Sequence, residues 1–134
     1  MRILPALAAC SLLLTTGASC HAPRAAGNWK PDALGWLRGT FHDFGLLPQD
    51  TTATIHFPYR NTGTAPLQIE TIRTDCGCTV PAWPLKPLPP GGTDSIQVAF
   101  DASGRGRFEK HLRIFFLGMP RPYKLTIAGE VGPP

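Results

Sequence analysis

The stretch ATIHFPYRNTGTAP, residues 53–66, holds two patterns back to back. Ala53, Ile55, Phe57 and Tyr59 alternate with Thr54, His56 and Arg60. A period of two puts the first set on one face of an extended chain and the second on the other, which marks a half-buried strand. Turn chemistry follows at once. Gly63 tolerates positive φ, and Asn61 can bond to nearby backbone.

Working outward, the alternation recurs. Leu67, Ile69 and Ile72 continue a second strand. Ile96, Val98 and Phe100 form a third, Leu112, Ile114 and Phe116 a fourth, and Leu125, Ile127, Gly129 and Val131 the last. PLKPLPPGG, residues 84–92, breaks the series, because proline lacks the N–H that a ladder needs and cannot sit inside a helix. No segment after Phe41 keeps a helical period. Strands about a dozen residues apart, separated by Gly and Pro, predict an all-β fold: an immunoglobulin-like antiparallel β-sandwich of about seven strands over residues 41–131. Its expected core draws on Ile55, Phe57, Ile96, Val98, Leu112, Ile114 and Ile127.

The chain ahead of this domain reads differently. Arg2 precedes an apolar run over residues 3–14, and Gly17-Ala18-Ser19-Cys20 closes it with small residues. That order describes an export signal over residues 1–19. The run is shorter than the roughly 20 apolar residues of a membrane-spanning helix. Cys20 after Gly-Ala-Ser resembles a lipobox, so Cys20 is the expected lipidation site. Leu, common three residues ahead of such a cysteine, is replaced by Gly17. Ordinary cleavage near Ala18 or Ala22 and an uncleaved anchor stand as alternatives. Residues 20–40, rich in Ala, Gly and Pro, read as a tether. Residues 31–37 within it are the one place where a helical turn or two could form, weakened by Gly35.

The net charge is +4, with 13 Lys and Arg against 9 Asp and Glu, scattered rather than clustered. A nucleic-acid partner would show a concentrated basic face, so none is expected.

Cys76-Gly77-Cys78 is the motif with most chemical content. In a regular strand, residues two apart lie roughly 6.5–7 Å from each other, the outer limit for a disulfide. Gly77 could bend the chain and close the gap. Four readings follow: a disulfide across a small ring, two packed thiols, a soft-metal clip for copper or zinc, and thiol exchange. Two thiolates alone do not complete a zinc site. Thiol exchange normally uses Cys-x-x-Cys at a helix start. Cys76 and Cys78 are therefore taken first as structural, with metal and redox roles as alternatives. No cofactor is expected.

Other residues carry weaker signals. His42-Asp43-Phe44-Gly45 reads as a structural opening: Phe44 toward the core, Gly45 in a bulge, Asp43 bonded to backbone. A catalytic His–Asp pair would need a nucleophile held by the histidine, and the sequence supplies none that fits. His56 and His111 fall on the polar faces of their strands. Trp83, between Ala82 and Pro84, reads as an edge plug, with a partner surface as its second role.

The ordered set His42-Asp43-Phe44-Gly45, Asn61-Thr62-Gly63, Ala65-Pro66-Leu67, Cys76-Gly77-Cys78-Thr79 and Pro90-Gly91-Gly92 resembles a bacterial family of domains of unknown function. Such domains occur in exported proteins and lipoproteins and are similar to Hydin-type and major sperm protein domains. The resemblance implies an immunoglobulin-like fold and no established activity. The expectation is thus an exported, lipid-anchored, non-catalytic binding or scaffolding module of the bacterial cell envelope, in the periplasm or at the outer membrane. Its partner would be an envelope protein or polymer. The alternative is a thiol-redox or soft-metal-handling protein built on Cys76 and Cys78.

Overall fold

A computed structural model describes residues 33–133. The signal segment, Cys20, Trp29 and most of the tether lie outside the described residues. Eight strands follow in order: β1 (Leu34–Trp36), β2 (Phe41–Pro48), β3 (Thr52–Asn61), β4 (Ile69–Thr74), β5 (Thr79–Ala82), β6 (Thr93–Asp101), β7 (Gly106–Phe116) and β8 (Tyr123–Gly132). They make two four-stranded sheets, ordered β1-β3-β6-β5 and β2-β8-β7-β4. No helix occurs among the described residues.

The β-sandwich and its alternation are as the sequence implies, and β2 to β8 are the seven strands expected from Phe41 on. Two details differ. Leu34–Trp36 is not a helical turn but a strand, antiparallel to Tyr59–Asn61. Gly35 opposes a helix, while pairing with β3 satisfies the backbone groups of this short piece. The sandwich is also not wholly antiparallel, because β2 runs parallel to β8. The chain leaves β1 in the first sheet, turns through Gly39 at φ 75°, and enters β2 on the edge of the second.

The inward sets meet in one core. Ile96 and Val98 of the first sheet and Leu112, Ile114, Leu125 and Ile127 of the second are fully buried. Leu112 faces Leu125 across β7 and β8, and Ile55 faces Val98 across β3 and β6. Aromatic rings join the sheets: Tyr59 meets Phe116 at 6.2 Å, and Phe100 stacks on Phe108 at 4.0 Å. That stack depends on Gly129. A Cβ there would lie 2.8 Å from the Phe108 ring and 2.9 Å from the Gly45 carbonyl oxygen.

Burial also pushes the Tyr59 hydroxyl up to about 12, with Asp94 adding a smaller repulsive push in the same direction. Desolvation disfavours the phenolate in the folded state. The sign follows from linkage: below pH 10 tyrosine is neutral in both states and nothing changes, whereas between pH 10 and about 12 only the unfolded chain ionises. Stability is therefore expected to fall across that window, at up to about 1.4 kcal/mol per pH unit from this group. Denaturant titrations of the protein and of Tyr59→Phe measure it, and the variant should lose less stability over the same range.

Candidate functional site

The strand directions give the sandwich two ends. At one end β4 stops at Thr74, β5 starts at Thr79, and Cys76-Gly77-Cys78 forms the turn between them. The turn leaves extended geometry, so the Cα atoms of Cys76 and Cys78 approach to 5.3 Å and a disulfide joins them. Gly77 is exposed, with open space where a Cβ would stand.

The turn is fastened on all sides. The Thr74 hydroxyl donates to the Cys76 carbonyl at 3.0 Å, and Asp101 N–H donates to the Cys78 carbonyl at 2.8 Å. The Asp75 carboxylate accepts from His111 N–H at 3.0 Å, tying the turn to β7 in the other sheet. Thr79 is buried, its hydroxyl 3.8 Å and 4.0 Å from the two sulfur atoms. Both disulfide sulfurs lack a proton, so the threonine hydroxyl is the donor in either contact. Cys78 packs against the hydrophobic core.

Two neighbouring loops share this end. Gln49 Nε2 donates to the Ser103 carbonyl at 3.1 Å, and Arg105 Nε donates to Gln49 Oε1. Asp50 N–H donates to Ala102 O, and Ala102 N–H to Thr51 O. The tip is a set of cross-bonded loops around the bridged cysteines.

The other sequence-level residues do not converge on it. His42 packs edge-on against Phe44 at 4.7 Å, and Asp43 accepts from Gly45 N–H at 2.8 Å. Gly45 holds φ 68° at the register shift between Asp43 and Leu46, which is the bulge role read from its sequence. His56 pairs across the strand with Gln97. His111 sits between Glu109, 3.5 Å away, and the Thr126 hydroxyl, 3.2 Å away. Among the described residues no three His, Cys, Asp or Glu side chains gather as metal ligands would. Trp83 packs against the core beyond β5 as an edge plug. Its Nε1 is buried without an acceptor among the described residues, an arrangement that costs about 1–3 kcal/mol.

Sequence reasoning gave Asn61 a bond to nearby backbone but missed its burial and its reach to Leu88. Asn61 ends β3, is fully buried, and bonds three ways: Nδ2 donates to Ala65 O at 2.8 Å and Leu88 O at 2.9 Å, while Oδ1 accepts from Gly63 N–H at 2.9 Å. A signal was present. Asn61 continues the inward parity of Phe57 and Tyr59, so its side chain had to point into the sandwich.

A two-sheet immunoglobulin-like sandwich with this strand order defines the class of the chain. Residues 37–131 match the family DUF1573, described as a protein of unknown function, and the chain belongs to that family. No curated protein matches the chain. Among solved structures, it is similar to a protein of unknown function from Porphyromonas gingivalis W83, with a TM-score of 0.63 and 19% identity over 73% of this chain and 46% of that one. An ASH/PapD-like domain of human CEP192 aligns with a TM-score of 0.62 and 13% identity over 97% of this chain and 99% of that one. The secreted serine protease VesC from Vibrio cholerae aligns with a TM-score of 0.57 and 11% identity over 74% of this chain and 23% of that one. Against the first and third, the chain spans less than half their length. These likenesses establish the fold alone.

The bridge carries a direct expectation. Alkylation followed by mass spectrometry should find Cys76 and Cys78 protected until reductant is added. Closing so short a loop removes little unfolded-state entropy, about 1.5 kcal/mol. Cys76→Ser with Cys78→Ser should therefore lower stability by about 1–2 kcal/mol and leave the fold intact. Free thiols in the untreated protein would contradict the bridge.

Proposed function

We propose that this chain is an exported, lipid-anchored binding or scaffolding module of the bacterial cell envelope, without catalysis of its own, which meets its partner through the tip that carries Cys76 and Cys78. The observation that supports it most is the placement of the two ends. Thr62 N–H donates to Ala33 O at 3.0 Å, so the N-terminal segment joins the sandwich beside the end of β3. The Cys-Gly-Cys turn lies at the opposite end of the same strands. A ten-residue strand such as β3 is roughly 33 Å long. An anchor at Cys20 therefore attaches through the end away from the cysteine tip.

Loop docking fits this domain better than strand addition. Each sheet edge is blunted. β1 and β5 are three and four residues long, and β5 contains Pro81. β2 shifts register at Gly45 and β4 near Glu70. Short, bulged or proline-bearing edges discourage pairing with another chain. The tip, in contrast, is braced by the disulfide and by bonds to both sheets, so little order has to be gained on binding.

Two measurements test this reading. Cys20→Ala should move the protein from the membrane to the soluble fraction; a wild-type chain that is already soluble after export would remove the anchor. A photo-crosslinking residue at the exposed Val80, beside the tip, should capture an envelope component that the same group at Gln97 does not. Equal capture at both positions would argue against tip docking.

The bridged pair itself favours a second reading, that the tip is a reversible dithiol or, reduced, a soft-metal ligand pair. A thiol titration across reductant concentrations with metal analysis of the native protein separates the two. Stoichiometric metal that is lost in both Cys→Ser variants would favour the second.

A further inference from the structure

The end opposite the cysteine tip has its own composition. A continuous path of hydrogen bonds defines it. Ala33 is bonded to Thr62, and Asn61 bonds to Leu88. Leu88 and Leu67 exchange both of their backbone bonds, at 2.7 Å and 2.9 Å. From the next residue, Gln68, the carbonyl accepts from Leu117 N–H at 2.8 Å and the side-chain amide donates to Leu85 O at 3.3 Å. The path therefore links the entry of the N-terminal segment to the loops that carry Leu85 and Leu117.

Both leucines project into solvent, Leu85 at 77% exposure and Leu117 at 50%. They come from different loops, one between β5 and β6 and the other between β7 and β8, and are brought together through Gln68. Cations lie in the same two loops and at the adjoining strand ends. Lys86 follows Leu85, Arg121 lies in the Leu117 loop, and Lys124 and Arg60 flank the strand ends. All four are exposed, and none pairs with an acid among the described residues. Of the two acids nearest this end, Asp94 is engaged by Ser95 N–H at 2.7 Å, and Glu70 lies on the edge strand β4.

We propose that this end is a membrane-contacting surface, with Leu85 and Leu117 seated at the acyl boundary and Lys86 and Arg121 on anionic lipid headgroups. Apolar side chains beside Lys and Arg are what interfacial binding to anionic lipid requires, and each cation near such a surface adds to the attraction. The occupant is a lipid surface rather than a protein because of where the chain enters. Residues 21–33 separate the lipidated Cys20 from this end, a span of at most roughly 45 Å, so the anchor keeps this end within reach of the bilayer. The inference rests on the anchor reading and adds to it. The domain does not hang free on its tether but stands on the bilayer, with the disulfide tip presented outward at a fixed orientation.

The test uses the full chain, processed and anchored in vesicles of phosphatidylethanolamine and phosphatidylglycerol. An environment-sensitive thiol label is placed at Leu117→Cys, at Leu85→Cys or, at the opposite end, at Ser103→Cys. Lipids brominated on their acyl chains should quench the first two labels several-fold more than the third. Lys86→Glu with Arg121→Glu, or neutral phosphatidylcholine vesicles, should remove most of that difference while the chain stays anchored. Anchored protein with equal quenching at all three positions overturns the proposal and leaves the anchor reading standing. Persistent contact after charge reversal overturns the headgroup assignment. A chain that does not partition into the vesicles overturns both.

Discussion

Replacing Asn61 with alanine is expected to lower the unfolding free energy by about 3 kcal/mol. The side chain is fully buried and makes three hydrogen bonds, to Ala65 O, Leu88 O and Gly63 N–H. Each contributes about 1 kcal/mol net. Alanine also leaves three backbone groups without these partners, and any that water cannot reach adds to the loss. The backbone of Asn61 extends the same junction, since its N–H donates to Gly92 O and its carbonyl accepts from Gly91 N–H. One residue thus fastens the residue 62–66 turn and the proline-rich segment to the end of β3. Asn61→Asp separates hydrogen bonding from size. Its carboxylate can still accept from Gly63 but faces the Ala65 and Leu88 carbonyls with a second acceptor. At pH 7 it should cost at least as much as alanine. Acid should recover part of the loss relative to the unmutated protein, because protonation restores one donor. Denaturant unfolding at two pH values decides it, and a cost below about 1 kcal/mol for Asn61→Ala would show that the junction does not depend on this side chain.

Asn61 also marks where sequence reading stops. Strands β3, β6, β7 and β8 were legible because each is nine residues or longer and carries a run of buried residues at every second position. β1 and β5 were not. β1 is Leu-Gly-Trp, too short to show a period. β5 inverts the usual pattern, with Thr79 buried beneath the disulfide and Val80 60% exposed. Its burial is set by the bridged turn rather than by hydrophobicity. The parallel pairing of β2 was hidden for another reason. The bulge at Gly45 breaks its alternation, and its direction depends on which sheet it joins, a choice made by contacts far along the chain. At the candidate site the residue types were legible and the geometry was not. Strand spacing put Cys76 and Cys78 at the limit of bridging, and only the turn between β4 and β5 brings them to 5.3 Å. That this turn and Ala33 occupy opposite ends could not be read locally, since it follows from strand directions across both sheets.

The core offers the largest expected effect. Phe116→Ala should cost about 3–5 kcal/mol, the range for removing a buried aromatic ring. Phe116 is 2% exposed at the end of β7. Its ring meets Tyr59 of the first sheet at 6.2 Å and Tyr123 of its own sheet at 5.7 Å, both edge-on. Such pairs contribute about 0.5–1.5 kcal/mol beyond their burial, so alanine removes contacts to both sheets and leaves a cavity between them. Collapse is restricted, because Phe116 O accepts from Met119 N–H and the adjoining Leu117 N–H is held by Gln68 O. The backbone cannot easily move inward to fill the space. Phe116→Leu should recover a substantial part of the loss by restoring volume without the ring contacts, which sets the aromatic contribution apart from the cavity. Against a domain stability on the order of 5–10 kcal/mol, the alanine variant should unfold at a much lower temperature, measured by circular dichroism in the β-sheet region. A loss below about 1.5 kcal/mol would mean that the two sheets can close over the missing ring, and that the packing between them is looser than these contacts imply.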